Sequence, residues 1–597
     1  MKFLRLLCVL LFAISLRAQT GSPATVSEAE EFMKQAEARL SELSVKVNHA
    51  TWVQENFITS DTEALSAGAQ DQMTAVTTEL VEQAKRFDGL QLPADLARKF
   101  ALLRLSLTAP APKDPALRRE MTQISTSMDA DYGRGKYCRK PDECLDITAI
   151  ERIMASSRDP AELADLWAGW HKIGAPMRER YSRFVDLSNQ GAREIGFKDV
   201  GTMWRSGYDM TPEEFGADLE RLWQQVRPLY LSLHTFVRAK LSQHYGANLV
   251  PANGPIPADL LGNPWAQEWE NIYPLLGLPE NGQNYEVTSL LQAKKLDAKG
   301  MVKYGEGFFT SMGFAPLPKS FWERSLFTKP ADRDVVCHAS AWDIDGKDDL
   351  RIKTCLQVRG EDFVTVHHEL GHNLYQRAYK NQPYLFANGA NDGFHEAIGD
   401  AIALAITPEY LHQVGLLDKV PAGENDIPQL LKQALKRVAF LPFGLMIDQW
   451  RWKVFSGEIK PAEYNQAWWE LRLKYQGVRP PENRSEADFD PAAKYHVAGN
   501  VPYIRYFLAH IYEFQFYRSL CRASGYSGPL NRCTFYGSKA AGDKFNQMLE
   551  MGQSKPWPVA LEAMTGEKQT DAGALLEYFA PLQKWLDQQN KGLKAGW

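Results

Sequence analysis

The chain has 597 residues, of which 44% are hydrophobic, 11% aromatic and 24% charged, a balance that supports a large folded core and excludes disorder. A net charge of -5 and a pI near 6.2 supply no basic face for phosphate backbones or anionic lipid, so nucleic acid is excluded as a partner. No Gly/Ser-rich, Pro-rich or charge-block linker divides the sequence, which argues for one large unit over residues 19–597.

In chain order, residues 1–18 read MKFLRLLCVLLFAISLRA, with Lys2 and Arg5 before an apolar run, Leu6 to Leu16, too short to span a bilayer. This predicts a signal peptide, and export to the periplasm or medium. Its removal takes Cys8 and leaves Cys138, Cys144, Cys337, Cys355, Cys521 and Cys533, an even set suited to disulfides in an oxidising compartment. Fifteen connectivities are open, although the pairs 138/144, 337/355 and 521/533 would each staple a short segment. From Val26 to about Leu107, apolar residues recur at three- and four-residue intervals, predicting long helices. Similar patterns at 160–195, 212–245, 361–381, 393–406, 427–456, 461–476, 501–521 and 571–590 make the fold mainly α. The ending LEYFAPLQKWLDQQNKGLKAGW is amphipathic and polar, so no membrane anchor is expected there.

The chemistry concentrates at residues 367–372, His-His-Glu-Leu-Gly-His, inside a segment of helical period. Phe363, Val366, Leu370 and Leu374 fall within about 80° of one another at 100° per residue, which puts them on one stripe. His368 and His372 lie opposite, one turn apart, and can present both imidazoles to a single metal ion while Glu369 points beside it. A third ligand decides the class. Tyr375 and Ala378 stand where a metzincin would carry Gly and His, so that class is excluded. Downstream, NDGFHEAIGDAIALAI predicts a helix capped at Asp392, with Glu396 completing a His2Glu set and Asp400, one turn on, orienting a ligand histidine. Such a set with an open position favours zinc, one ion per chain.

HHELGH followed after a loop by GFHEAIGD resembles the zinc signature of the angiotensin-converting-enzyme family of peptidyl dipeptidases. VVCHASAWD (335–343), DQWRWKVF (448–455), WWELRLKYQG (468–477), KYH (494–496) and VPYIRYF (501–507) agree in the same order, over nearly the whole mature chain. The resemblance implies a helical metallopeptidase domain of two halves around a deep central cleft, and the three local cysteine pairs match the family's disulfides. It makes His368, His372 and Glu396 the metal ligands, Glu369 the general base, and His496 and Tyr506 the oxyanion stabilisers. It assigns His338 and the backbone of Ala339 to align the substrate main chain, and Lys494 with Tyr503 to hold a free C-terminal carboxylate. It also implies bound chloride as an activator, at Arg205, Trp468 and Arg472 in one site and at Tyr245 with Arg505 in another.

The chain departs from the family in two places. Lys294, in VTSLLQAKKLDAKGM (287–301), falls where the dipeptidases carry a carboxylate-binding glutamine, and His510 falls where they carry a pocket phenylalanine. A lysine at that point either joins the clamp or moves the anchor closer to the metal, which would release one residue instead of two. Lys494 and Val501 favour two. The sequence therefore predicts an exported zinc peptidyl-dipeptidase acting on oligopeptides. Its rivals are a single-residue carboxypeptidase and an inactive peptide-binding scaffold.

Overall fold

A computed structural model describes residues 24–278, 286–423 and 426–597, and the signal peptide expected over residues 1–18 lies outside them. Among the described residues helices dominate, and the strands form three two-stranded sheets. The first predicted stretch is three helices, Val26–Asn56, Ser60–Ala84 and Ala94–Leu105. The helix predicted over 160–195 is divided into Pro160–His171 and Arg178–Glu194, because Gly174 and Pro176 stand between them. Pro212–Tyr245 forms as predicted: Thr211 accepts from the Glu214 N–H, Glu214 accepts from the Thr211 N–H, and Pro212 opens the first turn. Pro115–Gly133, Ile147–Ser156, Ala298–Ser311, Lys539–Leu549 and Trp557–Thr565 are further helices beyond those read from the sequence.

One contiguous core joins most of the chain, with Trp167, Trp170, Trp223, Trp269 and Trp450 among its buried side chains. Full burial of an aliphatic or aromatic side chain contributes roughly 1.5–3 kcal/mol, so this core carries most of the stability. The three N-terminal helices keep a separate cluster, centred on Met33, Leu40, Val81 and Phe100, which meets the body at Leu385. The first of them, Val26–Asn56, packs against the hairpin of Ser340–Asp343 and Leu350–Lys353. There Trp52 meets Trp342 edge-on, the Arg351 guanidinium stacks over Trp52, and buried Lys353 pairs with Glu55 at 2.6 Å. All three local cysteine pairs are bonded, Cys138–Cys144, Cys337–Cys355 and Cys521–Cys533. No helix among the described residues is long and apolar enough to cross a membrane.

Candidate active site

The two motif segments are crossing helices, Gly360–Ala378 and Asp392–Leu404. Phe363, Val366, Leu370 and Leu374 are buried, as their stripe predicted. The crossing is close because it is made of glycines: a Cβ on Gly371 would sit 3.0 Å from the Gly399 Cα, and one on Gly399 would sit 2.6 Å from His368 Nδ1. The second helix is capped by Asn391, whose side chain accepts from the Gly393 N–H, and not by Asp392 as the sequence suggested. Asp392 instead accepts a hydrogen bond from the Tyr208 hydroxyl at 2.7 Å and pairs with Arg505 at 3.2 Å.

This crossing brings ligand atoms of His368, His372 and Glu396 within 4.8 Å of one another. The two Nε2 atoms are 3.0 Å apart and Glu396 Oε2 is 3.8 Å from that of His368. Two imidazole nitrogens and a carboxylate directed at one point repel unless a cation lies among them, so the donor set fits a divalent metal ion. Asp400 Oδ1 lies 3.4 Å from His368 Nδ1, on the side away from the other ligands, and Arg437 approaches the same carboxylate at 3.6 Å. Burial opposes a charge on His368, yet Asp400, Glu369 and Glu396 together raise its pKa to about 9. Burial pushes the Glu369 carboxyl up to about 7. Ser44, Tyr384, His395, Glu396, Pro502 and Arg505 line a cavity of about 590 Å³, so the N-terminal helices share a wall with the metal site.

His338 and Ala339 lead into the strand Ser340–Asp343, whose one ladder partner is Leu350–Lys353. Asn373, on the first motif helix, donates to the Trp342 and Arg351 carbonyls at 3.3 and 3.2 Å and fixes the hairpin to the metal site. Exposed His338 is among the charges acting on Glu396. The strand's outer edge is thus available, among the described residues, to pair with an extended peptide.

A second cluster comes from the segment Tyr495–Ala498 and the start of the helix Ile504–Ala523. The rings of His496, Tyr503 and Tyr506 touch in turn, with centroids 4.6, 5.0 and 5.7 Å apart. Burial, and then the charge of Glu396, push the Tyr506 hydroxyl above its ordinary pKa. Burial, then Lys494, Arg451 and Arg505, hold the His496 imidazole far below its ordinary pKa, so it is a neutral donor, and its buried Nδ1 has no protein partner. Lys494 is 7% exposed, packs over Trp265 at 4.0 Å and faces the Tyr503 ring at 5.8 Å. Burial lowers its pKa to about 8 against the pull of Glu268 and Glu151.

The side chain that meets Lys494 is Gln267, whose Oε1 accepts from Nζ at 2.6 Å, a residue the sequence reading passed over. Lys294, assigned to that place from a weakly matching stretch, is instead exposed at the C-terminus of the short helix Val287–Ala293. The sequence WAQEW carries no motif that would have singled out Gln267. His510 lies one turn beyond Tyr506, against Phe440, which also touches Tyr503.

The proposed anion residues are only partly brought together. Trp468 and Arg472 share the helix Tyr464–Gln476, and the buried Trp468 Nε1–H has no protein acceptor. Arg472 is wholly buried, and burial lowers its pKa to about 9, with Asp490 as the opposing charge. Arg205 has other surroundings: it donates to the Gly201 and Pro212 carbonyls and stacks on Trp452. Tyr245 is not beside Arg505. It ends its helix against His244, near Arg158 and Asp259, while the tyrosines acting on Arg505 are Tyr208 and its chain neighbour Tyr506. Asp392 already supplies Arg505 with a counter-charge, which removes the reason for an anion there.

Comparison with known proteins agrees with this geometry. The family model described as angiotensin-converting enzyme matches residues 23–597. Angiotensin-converting enzyme of Rattus norvegicus is 46% identical over 80% of this chain and 37% of its own length. That of Mus musculus is 42% identical over 95% of this chain and 44% of its own. That of Theromyzon tessulatum is 44% identical over 79% of this chain and 77% of its own. The chain thus spans less than half the length of these mammalian relatives. With that family model matched over residues 23–597 and relatives 42–46% identical, the chain belongs to the angiotensin-converting enzyme family.

Proposed function

We propose that this protein is a zinc-dependent peptidyl-dipeptidase that removes two residues at a time from the free C-terminus of oligopeptides. The observation that carries the reading is the juxtaposition of the His368/His372/Glu396 set, with Glu369 beside it, and a buried lysine flanked by an amide and a phenol. Zinc, held by His368, His372 and Glu396, would supply Lewis acidity that polarises a peptide carbonyl and makes water a ready proton donor near neutral pH. Glu369 takes that proton and returns it to the leaving amine. Tyr506 and the neutral His496 donate hydrogen bonds where negative charge develops on the scissile oxygen. The edge led by His338 and Ala339 aligns the substrate backbone as an added strand. Lys494, Gln267 and Tyr503 grip the terminal carboxylate, and charge-assisted bonds of this kind distinguish a chain end from an internal peptide bond.

The place of Gln267 at Lys494 removes the ground on which Lys294 favoured single-residue release. The buried Trp468 N–H one turn from Arg472 supports chloride binding there, where an anion would answer a buried guanidinium. The three disulfides support residence in an oxidising compartment, hence secretion or the periplasm. The test is hydrolysis of an N-blocked oligopeptide in zinc and chloride. Cleavage by the wild type and none by Glu369→Gln, with equal zinc content, is expected. Cleavage by neither, from folded zinc-loaded protein across a varied peptide set, would point to a peptide-binding scaffold.

A further inference from the structure

Ala266, next to the clamp residue Gln267, has φ +52°, one of four non-glycine residues with positive φ among those described. A non-glycine residue holds that conformation only where its surroundings over-determine it. Here they do so from two sides. On the near side Asn263 staples the turn: its Oδ1 accepts from the Trp265 N–H at 3.1 Å and the Gln267 N–H at 3.4 Å, and its Nδ2 donates to the Glu268 carbonyl at 2.5 Å. On the far side the buried end of the helix Tyr464–Gln476 takes hold of two consecutive carbonyls. Arg472 Nη2 donates to Trp265 O at 2.7 Å, and Gln476 Nε2 donates to Ala266 O at 3.2 Å. Arg472 Nε also donates to Gln476 Oε1 at 2.9 Å, so the two holders are locked to each other. Trp269 Nε1 adds a second donor to Ala266 O at 3.1 Å, and Trp265 Nε1 donates to Ala493 O, beside Lys494, at 2.8 Å.

We infer that the turn Asn263–Glu268 is a preset aiming device for the carboxylate clamp, with Asn263, Arg472 and Gln476 as positioning residues. They act through the backbone of Trp265 and Ala266 to direct the Gln267 amide at Lys494, and none of them needs to touch substrate. The inference rests on the exopeptidase reading above. Its physical content is preorganisation: a strained backbone held in advance spares the substrate the ordering of its own anchor.

The experiment compares kcat/KM for a peptide with a free C-terminal carboxylate and for the same peptide amidated. Gln476→Glu is isosteric and keeps an acceptor for Arg472, but turns the contact with Ala266 O from donation into repulsion. It should lower the acid-to-amide ratio about tenfold, through KM for the free acid, with kcat retained. Asn263→Asp keeps the two acceptor bonds and loses the donor to Glu268 O, and should lower the ratio about threefold. A ratio unchanged in both variants, or acid and amide rates falling in parallel, overturns the inference while leaving the clamp intact. A wild-type ratio near one overturns the clamp itself, and the inference with it.

Discussion

Gly399→Ala is expected to weaken the protein's hold on metal without making the metal-free protein more stable. The added methyl would lie 2.6 Å from His368 Nδ1 and 2.8 Å from its Cε1, whereas ordinary contact begins at 3.4 Å. The imidazole would have to retreat by most of an ångström, several times the roughly 0.2 Å tolerance of a metal–ligand bond. It would also leave Asp400, which stands 3.4 Å from the same nitrogen. Disturbing an outer partner of a ligand histidine alone costs about 10–100-fold in metal affinity, and here the ligand moves as well, so a loss of at least 100-fold is expected. Replacing glycine by alanine inside a helix contributes about 1 kcal/mol, but forcing a methyl into this close crossing costs about 1–3 kcal/mol, so no net gain in the stability of the metal-free protein is expected. Zinc affinity measured by chelator competition, beside urea unfolding of the metal-free protein, separates the two effects. Wild-type affinity in the variant, within threefold, would refute the close crossing as the device that sets His368.

Lys494→Met should raise KM for peptides with a free carboxylate by about 10-fold or more, with amidated peptides unaffected, as kinetics on paired substrates will show. Because burial lowers the Lys494 pKa to about 8, the amine loses its charge above that pH, so KM for free-acid peptides should climb from pH 8 to 10 while that for amides stays flat. Gln267→Leu should produce the same acid-specific defect and Lys294→Ala none, since Gln267 meets Lys494 and Lys294 is exposed on its short helix. Replacing Cys521 and Cys533 by alanine should lower unfolding free energy by roughly 2–4 kcal/mol in denaturant titrations without changing zinc content.

The candidate metal site was legible in the sequence because its donors follow the helix itself: His368 and His372 are one turn apart with Glu369 between them, and Asp400 stands one turn beyond Glu396. Asn391 and Asp392 are both good caps, and only the fold shows that Asp392 is spent on Tyr208 and Arg505. The proposed clamp was half legible. Lys494 and Tyr503 sit in recognisable strings, whereas Gln267 reaches Lys494 across 227 positions of sequence from an irregular turn. Tyr208 and Tyr245 illustrate the same limit, since each ends a helical stretch and local pattern gives no measure of which one approaches Arg505. The helices beyond those predicted, such as Lys539–Leu549, are short, and glycines or mixed polarity blur their period.

The central claim is that two residues leave together from a free C-terminus. Mass spectrometry of the products from a single N-blocked oligopeptide, sampled from the first few per cent of reaction onward in zinc and chloride, tests it most directly. The account predicts a ladder of products each shorter by a dipeptide, with the released dipeptides recovered intact and no ladder from Glu369→Gln. Loss of one residue at a time, or cleavage of the amidated peptide at the same rate, would contradict it.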